Sequence, residues 1–234
     1  MRWREAIPFR IRPISIFDEN SKAMKNPVII FGANYLGRAA KEIFEANEIV
    51  VYGFLDDDKN FHQKEIDDVL VLGSTDDDGF LKLINKKSEA FVAIDDNKLR
   101  KSIVKMLQEV RHVQPVNAIH TKASVSEKAE IGYGNFIDHG AYLAPGSKIG
   151  SHCIINTNVS LGVDTVLGDF VQVGAGSTIN PGVKIEDEVF IGSGVTIVSG
   201  IAIGKGARIG AGSVVIAPVK AGATVFGNPA QAVK

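Results

Sequence analysis

Residues 149–173 read IGSHCIINTNVSLGVDTVLGDFVQV, and every sixth position, Ile149, Ile155, Leu161, Leu167 and Val173, is aliphatic. The period runs on in both directions. Ile119, Val125, Ile131, Ile137 and Leu143 precede it, and Ile179, Ile185, Ile191, Ile197, Ile203, Ile209 and Val215 follow, making seventeen consecutive matches. Two residues before the aliphatic, Ala129, Ala141, Ser147, Cys153, Thr165, Ser177, Ala207 and Ser213 are small, as a narrow interior demands. Glycine follows the aliphatic at 132, 150, 162, 168, 192, 204 and 210, where a turn between short strands is expected to need a permissive backbone. Short strands repeating at this period specify a left-handed parallel β-helix, a triangular prism whose coils bury their aliphatics only against one another. Such a prism is rigid, and its function lies on its outside.

Upstream, the pattern changes to alternating strands and helices. An apolar run (Val28–Phe31), a glycine turn (Gly32 to Gly37), an amphipathic helix from about Arg38 to Ala46 and a second run (Ile49–Phe54) ending at Asp56-Asp57-Asp58 make a βαβ unit. Further strands are expected at Val69–Leu72 and Phe91–Ile94, with helices near Phe80–Ile84 and up to about Val110. The fold class is therefore an α/β Rossmann-like domain over residues 28–112 followed by an all-β prism over 113–234. Residues 1–27 read as an extension with little structure; Met24, just before the first strand, is a plausible natural start.

The turn Gly32-Ala33-Asn34 can aim backbone N–H groups at a phosphate near a helix N-terminus, and the acids after the second strand can accept from a ribose or a base. A dinucleotide fingerprint would need glycine where Asn34 stands, which disfavours a nicotinamide enzyme. The bland alternative is that the glycines make a tight turn and the acids form a solvated loop. A net charge of −1 with interspersed signs gives no basic stripe for nucleic acid and no polybasic patch for a membrane. One cysteine excludes an internal disulfide, and no apolar run approaches the ~20 residues of a membrane span. Small molecules and further copies of the chain are the expected partners, and the cytoplasm the expected compartment. No metal is called for, and Cys153 reads as a small core residue.

In this order, Ile30-Phe31-Gly32-Ala33 with Gly37, Gly53-Phe54-Leu55-Asp56-Asp57, Val71-Leu72-Gly73, Ala93-Ile94-Asp95-Asp96-Asn97 with Arg100, Asn117-Ala118-Ile119-His120, Ile155-Asn156-Thr157 and Gly227-Asn228-Pro229-Ala230 are specific. Together they make residues 28–234 resemble the sialic acid O-acetyltransferases and UDP-4-amino-sugar N-acetyltransferases. The resemblance implies a homotrimer, a free or nucleotide-linked sugar on the amino-terminal domain, acetyl-coenzyme A between prisms, and direct acyl transfer in surface glycan biosynthesis. It places Gly32, Ala33, Asn34, Asp56, Asp57 and Gly73 at the sugar-nucleotide site. Gly192, Ser193, Gly210 and Ala211 would offer backbone to the coenzyme.

One departure is chemical. Where the family carries a histidine base followed by an acid, this chain has Val163 and Asp164, and a second histidine near the thioester is replaced by Gln172. Gln172 can still donate a hydrogen bond to the thioester carbonyl. Val163 cannot move a proton, and a missing base costs an acyltransferase roughly 10²–10⁴-fold. Two readings follow: an acyltransferase that manages without that base, or a non-catalytic sugar-nucleotide-binding or scaffolding trimer. His139 is a substitute base only if a neighbouring subunit brings it in, because it belongs to a different edge of the prism; otherwise it is a surface histidine. Asp164 is left to hold an acceptor ammonium or to face solvent. His120 reads as structural, and His62 and His152 as loop and turn residues without visible partners.

Overall fold

The computed structural model describes residues 25–233; apart from 25–27, the expected amino-terminal extension lies outside the described residues. Strand β1 (Val28–Phe31), helix α1 (Tyr35–Ala46) and β2 (Val51–Leu55) form the βαβ unit. They are followed by β3 (Glu65–Ile66), β4 (Val69–Gly73), α2 (Asp78–Leu81), β5 (Glu89–Val92) and α3 (Asn97–Arg111). The sheet runs β3-β4-β2-β1-β5, parallel except for β3. Every residue of β1 is buried, because the sheet is covered on both sides. Val28 and Ile30 pack in the cluster of α1, whereas Ile29 and Phe31 pack in that of α3, as a period of two requires.

From Ala118 to Val215 the chain winds through two-residue strands, each ending on one of the periodic aliphatics. They stack as three parallel faces. The first holds the strands ending at Ile119, Ile137, Ile155, Val173, Ile191 and Ile209; the second those at Val125, Leu143, Leu161, Ile179, Ile197 and Val215; the third those at Ile131, Ile149, Leu167, Ile185 and Ile203. Pairing joins residues one coil apart, as in Tyr142 with Ser160 and Leu143 with Leu161. The aliphatics and the small residues two before them form one continuous core, and Cys153 is among its fully buried members. Truncating one such aliphatic to alanine costs about 2–5 kcal/mol.

The two parts share apolar surface. Ala118, Phe136 and Ile154, on the first face, pack in the cluster of α1 and β1, and Phe170 packs against the cluster of α3. The amino-terminal domain is thus seated on the first face, with α3 lying toward the edge between third and first faces.

Several boundaries differ from those read in the sequence. Helix α1 starts three residues earlier, because Asn34 is its N-cap and accepts from the N–H groups of Leu36 (2.9 Å) and Gly37 (3.3 Å). Gly37 is therefore helical, and a Cβ there would lie 2.0 Å from the Gly32 oxygen, so it serves close helix–strand approach instead of the turn. Strand β2 is shifted one to two residues later, β5 two earlier and α2 about two earlier.

The glycine after each aliphatic also has another job than expected. Left-handed backbone falls two residues further on, at Gly134, Gly140, Gly146, Gly176, Gly182, Gly194, Gly200, Gly206 and Gly212. At Gly162 and Gly192 the constraint is the next coil: a Cβ would come within 2.6 Å of the Pro181 nitrogen and 2.5 Å of the Ala211 nitrogen, respectively.

Candidate functional site

Ligands of open α/β sheets bind beyond the carboxyl ends of the strands, and here four loops meet there. The turn after β1 is held by hydrogen bonds from Gly32 N–H to the Leu55 carbonyl (2.7 Å) and from Ala33 N–H to Asp56 Oδ2 (2.8 Å). Asp56 Oδ1 accepts from Asp58 N–H (2.9 Å), and Asp56 N–H donates to the Gly73 carbonyl (2.9 Å). Asp57 Oδ1 accepts from both the N–H and the hydroxyl of Thr75, each at 2.9 Å. Gly32, Ala33, Asn34, Asp56, Asp57 and Gly73 are thus brought to one crevice. Both Asp56 oxygens are committed to shaping it, whereas Asp57 Oδ2 accepts no hydrogen bond among the described residues. His62, expected to lack a partner, pairs its Nε2 with the Asp56 carbonyl at 2.7 Å.

Two further residues enter the crevice that sequence reasoning did not single out. The Tyr35 hydroxyl donates to Asp95 Oδ2 at 2.5 Å, joining the first turn of α1 to the loop after β5. Partial desolvation of the phenol, reinforced by the Asp95 carboxylate, pushes the Tyr35 pKa up to about 12. The backbone of the same loop meets the prism, where Gln172 Nε2, on the first face, donates to the Asp95 carbonyl at 3.0 Å. One amide N–H of Gln172 is therefore engaged in joining the domains, and the other remains for a ligand.

Beneath this loop, Arg100 is buried and donates to the carbonyls of Ile94 (2.6 Å) and Asp95 (3.1 Å) and to Asn97 Oδ1 (2.7 Å). Burial lowers its pKa to about 10, so it stays a cation at neutral pH. Its guanidinium carbon lies 5.9 Å from the Phe170 ring, and Lys101 pairs with Glu188. Phe170 in turn stacks on His152, with centroids 4.9 Å apart, which gives His152 the partner the sequence did not reveal. Burial, followed by the Arg100 charge, pushes the His152 pKa down to about 4. His152, Phe170 and Glu188 take left-handed backbone in a column where Gly134 and Gly206 do so freely. The strain, about 1 kcal/mol or more each, is offset by seating α3.

The prism edges are chemically distinct. The first edge, between first and second faces, carries Gly174-Ala175-Gly176-Ser177, Gly192-Ser193-Gly194-Val195 and Gly210-Ala211-Gly212-Ser213 in successive coils. No side chain of the described residues accepts from the N–H groups of Ala175, Ser193 or Ala211, and in these three coils none larger than serine projects from that column. Gly192, Ser193, Gly210 and Ala211 therefore lie on a bare strip whose open donors are the Ser193 and Ala211 N–H groups, because those of Gly192 and Gly210 donate to the Ile209 and Val225 carbonyls (2.8 Å each). His139 lies on the same edge, exposed, three coils from Ser193 or about 14 Å at the strand spacing. Its ring meets His120 edge-on at 5.1 Å, and its neighbour Asp138 accepts from the Thr157 hydroxyl at 2.5 Å.

Val163 and Asp164 belong to the second edge, between second and third faces. Val163, 44% exposed, occupies the column of Pro145 and Pro181, an apolar ridge, and Asp164 adopts left-handed backbone (φ 56°). Within one prism, Asp164 therefore does not approach Gln172 or the first edge. Cys153 is buried, with burial pushing its thiol up to about 12, and its Sγ lies 3.2 Å from the Gly168 carbonyl; it is a core residue. Among the described residues no group of three or more His, Cys, Asp or Glu is placed to hold a metal ion, and no helix is long and apolar enough to cross a membrane.

Comparison with known proteins agrees with this architecture. Residues 27–107 match the PglD N-terminal domain, and residues 164–199 and 182–217 match the bacterial transferase hexapeptide (six repeats). The acetyltransferase domain of PglB from Neisseria gonorrhoeae, in complex with acetyl coenzyme A, is 27% identical over 89% of this chain and 99% of its own, with a TM-score of 0.82. A histidine variant of perosamine N-acetyltransferase from Caulobacter crescentus, in complex with CoA and GDP-perosamine, is 29% identical over 89% of this chain and 97% of its own, with a TM-score of 0.81. WeeI from Acinetobacter baumannii is 28% identical over 88% and 99%, with a TM-score of 0.77. No curated protein matches. The resemblance to hexapeptide-repeat sugar acyltransferases with a Rossmann-like amino-terminal domain is borne out.

Proposed function

We propose that this chain is an acetyl-coenzyme A-dependent acyltransferase acting on a nucleotide-linked sugar in surface glycan biosynthesis, and that it works as a homotrimer. The observation that carries the reading is the junction of Gln172 with the Asp95 carbonyl, which sets the crevice of the sheet against the first face of the prism. In this reading the sugar nucleotide occupies the crevice lined by Gly32, Ala33, Asn34, Asp57 and Gly73. The strip at Ala175, Ser193 and Ala211 donates its N–H groups to the carbonyls or phosphates of the coenzyme. Gln172 directs its second N–H at the thioester carbonyl, where it stabilises charge developing in the transition state. The acyl group then passes directly from sulfur to the acceptor.

A trimer suits the charge distribution. The outward residues of the second face, Ser124, Tyr142, Ser160, Thr178, Thr196 and Val214, are uncharged, whereas the third face presents Glu130, Lys148 and Lys184. Packing through the second face would set the first edge of one prism near the second edge of its neighbour, so that Asp164 and His139 meet only between subunits. A cytoplasmic location accords with a coenzyme A substrate.

The second reading, a sugar-nucleotide-binding trimer without chemistry, is favoured by Val163, since the apolar ridge it completes offers no proton acceptor. Purified protein mixed with acetyl-coenzyme A and a panel of amino- and hydroxy-sugar nucleotides separates the two. Release of free thiol above background by the unaltered chain supports the enzyme. Binding of both ligands with turnover only in Val163→His would support the scaffold.

A further inference from the structure

Away from the crevice and the first edge, a second cleft of about 420 Å³ lies between α3 and the third edge of the prism, where third and first faces meet. It falls within the size range of small-molecule sites. Lys101, Lys105 and Gln108 line one wall as a single stripe of α3, spaced i, i+4 and i+7, and Ser151, His152 and Asp169 line the other. His152 is the odd member. It is 3% exposed and Phe170 stacks on its ring, yet among the described residues no hydrogen bond reaches its ring nitrogens. An unpaired buried polar group is costly, and one that lines a cleft is relieved by a ligand able to pair with it. With its pKa held down to about 4, the imidazole is neutral at pH 7, so one nitrogen donates and the other accepts, and a hydroxyl suits either.

The remaining wall narrows the choice. Lys101 is committed to Glu188, but the pair of Lys105 with Glu109 is exposed and 3.8 Å long, which leaves the Lys105 ammonium available to an anion. Asp169, whose Oδ1 receives Ser151 N–H, repels a bare anion and calls for a donor. A ligand with an acid at one end and hydroxyls at the other meets both. We propose that this cleft binds a sugar bearing one acidic group, with its hydroxyls on His152 and Asp169 and its acid on Lys105. The site is independent of the acyltransferase reading, since neither the crevice nor the first edge contributes a residue to it. A carboxylate and a phosphate serve Lys105 equally, so a sugar acid and a sugar phosphate share the required chemistry. The occupant joins α3 to the prism beside the contact of Arg100 with Phe170, and so tightens the seat of the helix whose Arg100 holds the Asp95 loop.

Calorimetric titration of the full chain compares glucuronate, glucose 6-phosphate, glucose and inorganic phosphate. At least one of the two anionic sugars is expected to bind about tenfold or more tightly than both glucose and inorganic phosphate, and to raise the thermal midpoint. Glucuronate as the tighter ligand upholds the site with a carboxylate as its acid, and glucose 6-phosphate upholds it with a phosphate. Lys105→Ala is expected to remove the advantage over glucose and Lys105→Arg to retain it, whereas Lys98→Ala, which removes an exposed cation of α3 outside the cleft, leaves binding unchanged. His152→Asn, whose side chain tolerates left-handed backbone, is expected to weaken anionic sugar and glucose alike, because the shorter amide withdraws from the cleft. Binding of none of the four, inorganic phosphate bound as tightly as the anionic sugars, or a preference that survives Lys105→Ala would overturn the proposal.

Discussion

The first and third edges of the prism share one backbone path and differ in what lies over it. On the third edge the N–H groups of Tyr133, Ser151 and Asp169 are received by the side chains of Ser151, Asp169 and Asp187 of the next coil, and that of Lys205 by Glu186 of the preceding one. On the first edge, the corresponding N–H groups of Ala175, Ser193 and Ala211 have no such acceptor among the described residues. One edge is closed by its own carboxylates and seats a helix; the other stays open along three coils. A solenoid whose coils are nearly interchangeable thus makes its edges differ by omission, through the side chains it leaves out.

The largest effect is expected where the open edge is forced shut. Gly192→Val places carbon within 2.5 Å of the Ala211 nitrogen, and overpacking against backbone should cost about 3 kcal/mol, read as a lower thermal midpoint, and abolish coenzyme binding. The closed edge should reveal itself through pH. His152 is held below its ordinary value, to about 4, so the unfolded chain binds a proton between roughly pH 6.5 and 4 that the native chain refuses. Its contribution is complete above pH 6.5 and is lost as pH falls through that window, by up to about 3 kcal/mol. Denaturant titrations at pH 7 and 4.5 should therefore differ more for wild type than for His152→Asn, which keeps a side chain tolerant of left-handed backbone; equal differences would contradict this. Smallest is Asp169→Ala, which uncaps Ser151 N–H on the third edge and should cost about 1 kcal/mol without changing coenzyme affinity.

What was legible in the sequence was whatever repeats. The aliphatic period marked the prism strands as far as Val215, since every coil there carries the same constraint, but not the strands at Thr224–Gly227 and Ala230–Ala232 that extend the first face. The role of the glycines after the aliphatics was not legible, because the group they avoid lies a full coil away in the chain. Strand β3 escaped notice for a local reason: its hairpin turns through Asp67 and Asp68, both left-handed (φ 48° and 66°), without the glycine that usually marks such a turn. In the candidate site, the turn at Gly32-Ala33-Asn34 and the acids Asp56 and Asp57 were read from the βαβ pattern, and Gly73 from the family resemblance. Asp56, however, proved to be scaffold, and the Tyr35–Asp95 pair joins residues 60 apart that no local signal connects. Gln172 was read as a donor to a thioester; only the three-dimensional arrangement reveals that half of its amide already holds the two domains together.

The most direct measurement converts the open edge into the closed one. In Ser193→Asp a carboxylate stands one coil beyond Ala175, as Asp169 stands beyond Ser151, and should receive the Ala175 N–H. Calorimetric titration of acetyl-coenzyme A is expected to give at least about tenfold weaker binding than in wild type with the thermal midpoint unchanged. Equal affinity in the two proteins would show that the coenzyme does not lie along the first edge and would contradict the account.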